Sequence, residues 1–273
     1  MTDAALQSTF APANDPGVAP QPTRLPRQRL QPVRALRAFG RLMQDKEDTQ
    51  QVFEIMQAMN GGSTVRGYRR LTSTVEGGRL AYRRVELNDL LNDPAYLDRF
   101  ADGTVGAAYR SFMRSENLSA EGLAEESRKA QRRTGAAIDL EHPVAWYGRR
   151  IRDTHDIWHV LAGYGRDGLG ELCLVAFSYA QTRSLGWAVI AIGGSLRILR
   201  EHGRAGRRAV RAVREAYRRG QAAAWLPGED FEVLLNLPLE VARRRLGLDV
   251  APAAYLAVPE ADRNGTLAAP MAA

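Results

Sequence analysis

The sequence is poor in cysteine, lysine and histidine, and these shortages narrow what the protein can be. Cys173 is the only cysteine among 273 residues, so no disulfide can form within the chain, and a reducing compartment fits. Lys46 and Lys129 are the only lysines among 38 basic residues, a bias that reflects coding composition more than chemistry. Histidine occurs four times, which leaves few candidates for any site that requires imidazole.

Long apolar runs and alternating patterns are also missing. No secretory signal is visible because the first twenty residues lack an apolar core of the needed length. The apolar stretch 187–199 is too short to cross a bilayer and is interpreted as a buried helix. No alternation of useful length predicts a strand. We therefore expect an all-α protein with a single helical domain over residues 33–250, a disordered, proline-rich leader over 1–32 and a loose tail over 251–273.

The net charge of +7 favours anionic partners, but no recognised motif for nucleic acid appears. Residues 24–41 contain six arginines and no acid, and the apolar residues Val33, Leu36, Phe39 and Leu42 recur at every third position. This pattern predicts a basic amphipathic helix. Such a helix can lie on a membrane surface, or it can cover the core with a solvated basic face. We expect a cytoplasmic protein bound peripherally to the inner face of the membrane.

Two of the four histidines, His155 and His159, are four positions apart. Residues i and i+4 share one face of an α-helix, so both imidazoles would point at one spot, with Asp156 at its edge. Gly163 and three further glycines then end the helix and force a turn that can bring Glu171 back beside the histidines. The sequence therefore predicts a metal site of His155, Asp156, His159 and Glu171, and it leaves the catalytic residues open.

Such a mixed set of nitrogen and oxygen donors suits Zn²⁺, with Mg²⁺ or another divalent ion as alternatives. Because the set is small, a coordination position stays open, which is typical of catalytic rather than structural sites. Two other interpretations remain. The histidine pair can be a coincidence without metal, or it can be a variant of the H-E-x-x-H pattern of zinc proteases with Asp156 in place of glutamate.

The motif His155-Asp156-x-x-His159, followed after eleven residues by Glu171, resembles the signature of the Coq-four family of coenzyme Q (ubiquinone) biosynthesis proteins. The resemblance spans roughly residues 33 to 250 and includes all four candidate ligands. Other segments similar to this family are Asp48–Ile55, Gly103–Met113, Ala180–Thr182 and Ala216–Leu248.

The resemblance implies an enzyme of ubiquinone biosynthesis, a carboxy-lyase. The implied reaction is metal-dependent removal of the C1 ring carboxyl, with hydroxylation there, from a polyprenylated hydroxybenzoate. Other ubiquinone-biosynthesis proteins are the implied partners, and self-association into a homo-oligomer is left open. Two hypotheses compete with this one. The chain can be a non-catalytic lipid-binding scaffold that organises such a complex, or a metallohydrolase, as the histidine spacing alone would suggest.

Two further features bear on the substrate. Arg149, Arg150 and Arg152 precede His155 by one to two turns, and we interpret them as a solvated face, although one of them could hold a substrate carboxylate. The glycine pair 193–194 either permits close helix packing or leaves a groove for a polyprenyl tail.

Local signals complete the predicted helices. Thr104 and His142 are expected at helix starts, and a single helix is expected to carry the histidine motif over residues 143–161. A last helix is expected from Pro238 to Gly247, whereas residues 63–84 show no clear period and are expected to be turn-rich.

Overall fold

The computed structural model describes residues 29–44, 48–116, 122 and 142–265. These residues form one helical domain, and the strand-like geometry among them is an isolated bridge between Thr104 and Pro238. The all-α prediction is therefore confirmed for this part of the chain. The helices are α1 (Pro32–Gln44), α2 (Thr49–Ala58), α3 (Ser63–Leu71), α4 (Val75–Arg83), α5 (Leu87–Leu91), α6 (Pro94–Asp98), α7 (Val105–Ser115), α8 (Pro143–Asp153), α9 (His155–Ala162), α10 (Gly168–Thr182), α11 (Leu185–Ala222), α12 (Phe231–Leu234), α13 (Leu239–Leu246), α14 (Ala253–Leu256) and α15 (Glu260–Gly265), with a 3-10 turn at Leu226–Gly228.

The pair α10 and α11 forms the centre of the fold. Helix α10 is apolar on nearly all sides and is buried accordingly, with Cys173, Leu174 and Phe177 fully inaccessible. Helix α11 is 38 residues long and packs against α10. It is kinked at Gly203, where φ is 49° and ψ is −112°. A Cβ at Gly220 would lie 2.8 Å from the carbonyl oxygen of Phe177, so glycine is needed for this close approach.

The glycine pair 193–194 packs helices together rather than leaving a groove. A Cβ at Gly193 would lie 2.2 Å from the ring of Phe39 on α1. A Cβ at Gly194 would lie 2.8 Å from Leu172 on α10. Neighbouring side chains thus already fill the space that the missing side chains leave. The groove interpretation is wrong at this position, and close helix packing explains both glycines.

Helix α1 is amphipathic as predicted, but its buried residues differ from those expected. Ala35, Ala38 and Leu42 face the core, whereas Val33 and Leu36 are 60% and 65% exposed. The alanines let α1 approach α2 closely, which the larger side chains would prevent. The threefold spacing therefore predicted the helix correctly. Two of the four apolar residues that it assigned to one face, Val33 and Leu36, are exposed.

Residues 63–84 are helical, and the prediction of a turn-rich segment is wrong. They contain α3 and α4, and the side chain of Thr74 caps α4 by accepting an N–H of its first turn at 3.1 Å. Few of their residues are apolar, but Leu71 and Leu80 face inward. With Trp146 and Tyr147 of α8 they form a second, smaller core.

The predicted helix over 143–161 is two helices that meet at Thr154. His142 caps the first, since its Nδ1 accepts the N–H of Val144 at 3.1 Å, and Thr104 caps α7 in the same way. The expected helix after Pro238 is present as α13 and ends at Gly247 in a left-handed conformation with φ of 69°.

The three arginines before the histidine motif do not form a solvated face. Arg150 is 3% exposed. Arg149 donates to Glu86 at 2.6 Å, and Arg152 lies 2.6 Å from a carboxylate oxygen of Asp153. The earlier interpretation of these side chains is therefore wrong, because each is engaged within the protein.

The segment from 251, expected to be loose, is packed as far as residue 265. It forms α14 and α15, and Tyr255 and Val258 are 3% and 4% exposed. Residues 266–273 of the expected tail and residues 1–28 of the predicted leader lie outside the described residues. Among the described helices, none has the length and apolar character needed to cross a bilayer.

Candidate metal centre

A tight glycine turn joins the two helices of the site. Gly163 ends α9 at φ of 77°, a left-handed conformation that favours glycine. Asp167 caps α10, and its Oδ1 accepts the N–H of Gly170 at 2.9 Å. A Cβ at Gly170 would lie 2.1 Å from the carbonyl oxygen of Gly165, so the turn closes only with glycine there. The turn places Glu171 in the first turn of α10, where the helix dipole favours a carboxylate.

Three of the four predicted residues converge. His155, Asp156 and His159 each offer one ligand atom, and these atoms lie within 4.8 Å of one another. The two imidazole rings have centroids 5.0 Å apart. Asp156 and His159 are 6% and 1% exposed, while His155 is half-buried. The spacing on α9 thus gives a compact group of nitrogen and oxygen donors, shielded from water on most sides.

Glu171 lies beside this group of three rather than within it. Its Oε2 is 3.4 Å from His159 Nε2, and its Oε1 is 3.3 Å from the Nε of Arg166. Both Glu171 and Arg166 are buried. The structure therefore brings Glu171 to the neighbourhood that the sequence indicated, and its assignment as a direct ligand stays a prediction.

The hydrogen-bond pattern fits a bound cation. His159 Nδ1 lies 3.1 Å from the carbonyl oxygen of Tyr164, which can only accept. In the neutral ring the proton therefore belongs on Nδ1, and the lone pair of Nε2 is available to a cation. The Nε2 atoms of His155 and His159 and the Oε2 of Glu171 are buried without a hydrogen-bond partner. Buried polar atoms are normally paired. Nitrogen and oxygen atoms grouped in this way are suited to binding a cation.

The charges around the centre shift the pKa values of Asp156, His159 and Glu171. Burial opposes ionisation of Asp156, but the hydrogen bond from His155 and the nearby positive charges together outweigh it, so the pKa of Asp156 is lowered. Burial likewise opposes both charges of the other pair. The attraction between His159 and Glu171 prevails, so the pKa of His159 is raised and that of Glu171 is lowered.

Aromatic side chains surround the two histidines. Phe112 stacks on His159 with ring centroids 5.4 Å apart, and Trp187 stacks on His155 at 6.2 Å. Tyr109 is fully buried, and burial together with the charge of Asp156 raises the pKa of its hydroxyl. The centre therefore has flat apolar walls beside its polar donors.

Comparison with known proteins places the chain in a family. The model of "Coenzyme Q (ubiquinone) biosynthesis protein Coq4" matches residues 33–252. The chain belongs to the Coq4 family. It is 28% identical over 145 residues to the mitochondrial ubiquinone biosynthesis protein COQ4 of Mycosarcoma maydis, covering 53% of this chain and 37% of that protein. It is 27% identical over 131 residues to the mitochondrial COQ4 homolog of Danio rerio, covering 48% of this chain and 44% of that protein.

The matched regions span less than half the length of both relatives. A crystal structure of a Nostoc punctiforme protein, provisionally assigned to ubiquinone biosynthesis, superimposes with a TM-score of 0.56. The match covers 81% of this chain and 100% of that one at 20% identity, which supports the shared fold alone.

In this Coq4 family chain, the sequence indicated two of the three aromatic residues that surround the histidines and gave no indication of the third. Tyr109 and Phe112 lie in the segment 103–113, which carried part of the family resemblance. Trp187 and the buried Arg166 had no such signal, because only the folded chain brings α11 and the glycine turn against the histidines.

Side chains from the C-terminal segment and from α11 hold the glycine turn in place. The hydroxyl of Tyr255 accepts the N–H of Gly165 at 3.1 Å and donates to Asp167 Oδ2. Arg219 donates to the carbonyl of Ala162 at 2.8 Å, at the end of α9. These contacts fix the turn on which the placement of Glu171 depends, so residues far from the histidines in sequence support the centre.

Proposed function

We propose that this Coq4 family protein is a metal-dependent carboxy-lyase that removes the C1 carboxyl of a polyprenylated hydroxybenzoate. The observation that carries the proposal is the buried group of His155, Asp156 and His159 with unpartnered ring nitrogens. Family membership points to the pathway, and the donor set points to the chemistry. Zn²⁺ is the ion that suits two imidazoles and a carboxylate best, with Mg²⁺ or another divalent ion as alternatives.

The reaction replaces the carboxyl on the ring carbon with a proton. The bond between C1 and the carboxyl carbon breaks, the electron pair stays on the ring, and carbon dioxide leaves. A bound divalent cation would supply Lewis acidity and stabilise negative charge on substrate oxygens. The hydroxylation that the family resemblance implies also consumes an oxidant such as dioxygen, and it stays an expectation.

The residues of the chain have separate tasks in this scheme. His155, Asp156 and His159 would hold the cation, and the flat faces of Phe112 and Trp187 beside the histidines suit an aromatic ring. Because the pKa of Tyr109 is raised, its hydroxyl stays protonated and can donate a hydrogen bond near Asp156. The general acid that protonates C1 is unassigned.

Turnover by purified full-length protein tests the proposal. We expect carbon dioxide release from a short-tailed prenyl hydroxybenzoate in the presence of Zn²⁺, Mg²⁺ or Mn²⁺. The activity should be lost in His159→Ala and retained in His202→Ala, since His202 is exposed. Absence of turnover with every ion, in protein that binds metal, would contradict a lyase. Hydrolysis of esters, sensitive to chelator and without decarboxylation, would support a metallohydrolase instead.

A non-catalytic scaffold is the alternative, and exposed apolar residues favour it. Phe39 contacts Gly193, and Arg197 donates to the carbonyl of Met43 at 3.1 Å, so α1 runs alongside the first half of α11. Leu36 on α1 and Ile192 and Leu196 on α11 are 61% to 65% exposed near this contact. A protein that only assembled lipids and other ubiquinone-biosynthesis proteins would need such a surface.

We also propose that this surface contacts the inner face of the membrane peripherally. Apolar side chains of α1 would enter the interface while its arginines meet anionic headgroups. Sedimentation with anionic vesicles should fall in Leu36→Ser and at raised salt. Equal sedimentation with neutral and anionic vesicles would contradict an electrostatic contact.

A further inference from the structure

A second site lies on the C-terminal half of α11, away from the histidines. A cavity of about 690 Å³ is lined there by Arg207, Arg211, Arg214 and Arg218. Their spacing of four, three and four residues places them on one face of the helix. The rest of the lining consists of Leu199, Val210, Glu215 and Ala254. None of the metal-centre residues borders this cavity, so the two sites are separate.

The four arginines differ from those surface arginines of the protein that pair with acids. Arg34 and Arg83, for example, pair with acids at 3.2 Å and 2.7 Å, and Arg114 pairs with Asp98 at 2.9 Å. Within the described part of the chain, none of the four arginines that line the cavity has a carboxylate within ion-pair distance. All four are exposed. The protein thus neutralises basic side chains in several places and leaves this row uncompensated.

The one acid in the lining is already occupied. Glu215 Oε2 accepts the N–H of Ala254 at 2.7 Å and so holds α14 against α11. The row of like charges repels itself along the helix, which costs stability unless an anion covers it. A ligand that neutralised the row would remove this repulsion. The arrangement of the four arginines therefore indicates what kind of anionic ligand fits.

The dimensions of the row select among anionic ligands. Eleven residues of α-helix span about 16 Å, so a single phosphate can reach only part of the row. Leu199 and Val210 contribute apolar surface to the cavity lining, here called the apolar floor. A flat bilayer surface meets projecting groups more readily than a concave floor. A helix with acidic residues at matching spacing and apolar residues beside them satisfies the charges and the floor together.

We propose that the groove formed by Arg207, Arg211, Arg214 and Arg218 binds an acidic amphipathic helix of a partner protein. The proposal does not depend on metal chemistry or on lyase activity. It applies equally to an enzyme within a complex and to a scaffold. Opposite charge gives the partner its orientation and its association rate, and the apolar floor gives the complex its persistence.

A designed peptide tests the groove in the full-length protein. The probe is a helical peptide of about 18 residues with Glu and Leu at spacings of three and four, and its control has the same composition in scrambled order. We expect the helical peptide to bind and to lose affinity as salt rises. Arg211→Gln combined with Arg214→Gln should weaken binding about tenfold, because two exposed ion pairs are lost.

The matched control removes the same charge from the same helix. Arg204 and Arg208 are exposed but do not line the cavity, so Arg204→Gln with Arg208→Gln should leave peptide affinity within about twofold. An equal loss in both double variants, or equal binding of the scrambled peptide, would overturn the proposal. So would groove substitutions that abolish binding to phosphatidylglycerol vesicles or inorganic phosphate while sparing the peptide. Unchanged melting temperatures of both variants show that the fold is intact.

Discussion

The candidate metal centre and the groove of Arg207, Arg211, Arg214 and Arg218 both concentrate charged side chains, but only the candidate centre balances its charges within the protein. At the centre, Asp156, His159 and Glu171 are 1% to 6% exposed and compensate one another across short distances. In the groove, four arginines are exposed to solvent, and among the described residues no acid forms an ion pair with them. The first region has its charges balanced within the protein, and we propose that a partner balances the charges of the second.

This difference shows how burial changes the consequence of a polar side chain. A buried group is positioned by its neighbours and is costly to disturb, because whatever it leaves behind is desolvated and unpartnered. An exposed group contributes little to stability and is free to meet an external ligand. The same residue types should therefore respond very differently to substitution in the two regions.

The largest expected effect is loss of metal from the centre. His155→Ala and His159→Ala should each abolish stoichiometric Zn²⁺ binding measured by titration calorimetry and elemental analysis, because the donor set is too small to lose an imidazole. His202→Ala removes an exposed imidazole and should keep full stoichiometry. Unchanged metal content in both site variants would show that the histidines serve packing alone.

A buried and an exposed arginine give the next contrast. Arg150 is 3% exposed, lies 5.2 Å from the ring of Phe231 and donates to the carbonyl of Glu229, and burial lowers its pKa to about 10. Arg150→Ala should reduce the free energy of unfolding by about 3 kcal/mol, since it opens a cavity and strips that carbonyl of its donor. Arg211→Ala should change it by no more than about 0.5 kcal/mol.

Urea unfolding monitored by tryptophan fluorescence provides the measurement for both arginines. The midpoint should fall for the buried position at constant slope, since only stability changes. Equal midpoints would mean that burial does not separate the two regions.

A smaller effect is expected where α10 and α11 meet. Gly194→Leu must push against Leu172, so we expect a loss of about 2 kcal/mol and a lower melting temperature. Gly40→Ala is the control on α1, because a Cβ there meets nothing within 4 Å and should stabilise the helix by about 0.5 to 1 kcal/mol. A Gly194→Leu protein with an unchanged melting temperature would support the interpretation that this position leaves a groove for a lipid tail.

Local patterns made the grouping of His155, Asp156 and His159 predictable. The four-residue interval between His155 and His159 lies within one helix, and the glycine turn to Glu171 is continuous with it in sequence. Both features can be recognised within one short stretch of the sequence. The all-α class followed for the same reason, since helical periodicity is a property of short segments.

Long-range packing made the remainder unpredictable. The positions 33, 36, 39 and 42 and the positions 35, 38 and 42 are both helical faces, and only contact with α2 selects the second. Burial of Arg150 depends on Phe231, 81 positions later in the chain, and Tyr255 reaches the glycine turn from a segment expected to be loose. None of these contacts can be recognised from the local sequence.

The smallest effect tests whether the two regions communicate, since α14 contacts both. Ala254 donates its N–H to Glu215 in the groove, and the hydroxyl of Tyr255 bridges Gly165 and Asp167 in the glycine turn. Tyr255→Phe removes only the hydroxyl and leaves the backbone contact to Glu215 intact.

We expect Tyr255→Phe to weaken Zn²⁺ binding about tenfold, the lower end for a residue that supports a metal site indirectly. Peptide binding to the groove should be unchanged, because α14 keeps its place through Ala254 and the buried ring. Tyr82→Phe is the control, since Tyr82 is 89% exposed and its hydroxyl supports neither site. If Zn²⁺ affinity and peptide affinity fell together, the two regions would behave as one coupled unit, and their separation would have to be abandoned.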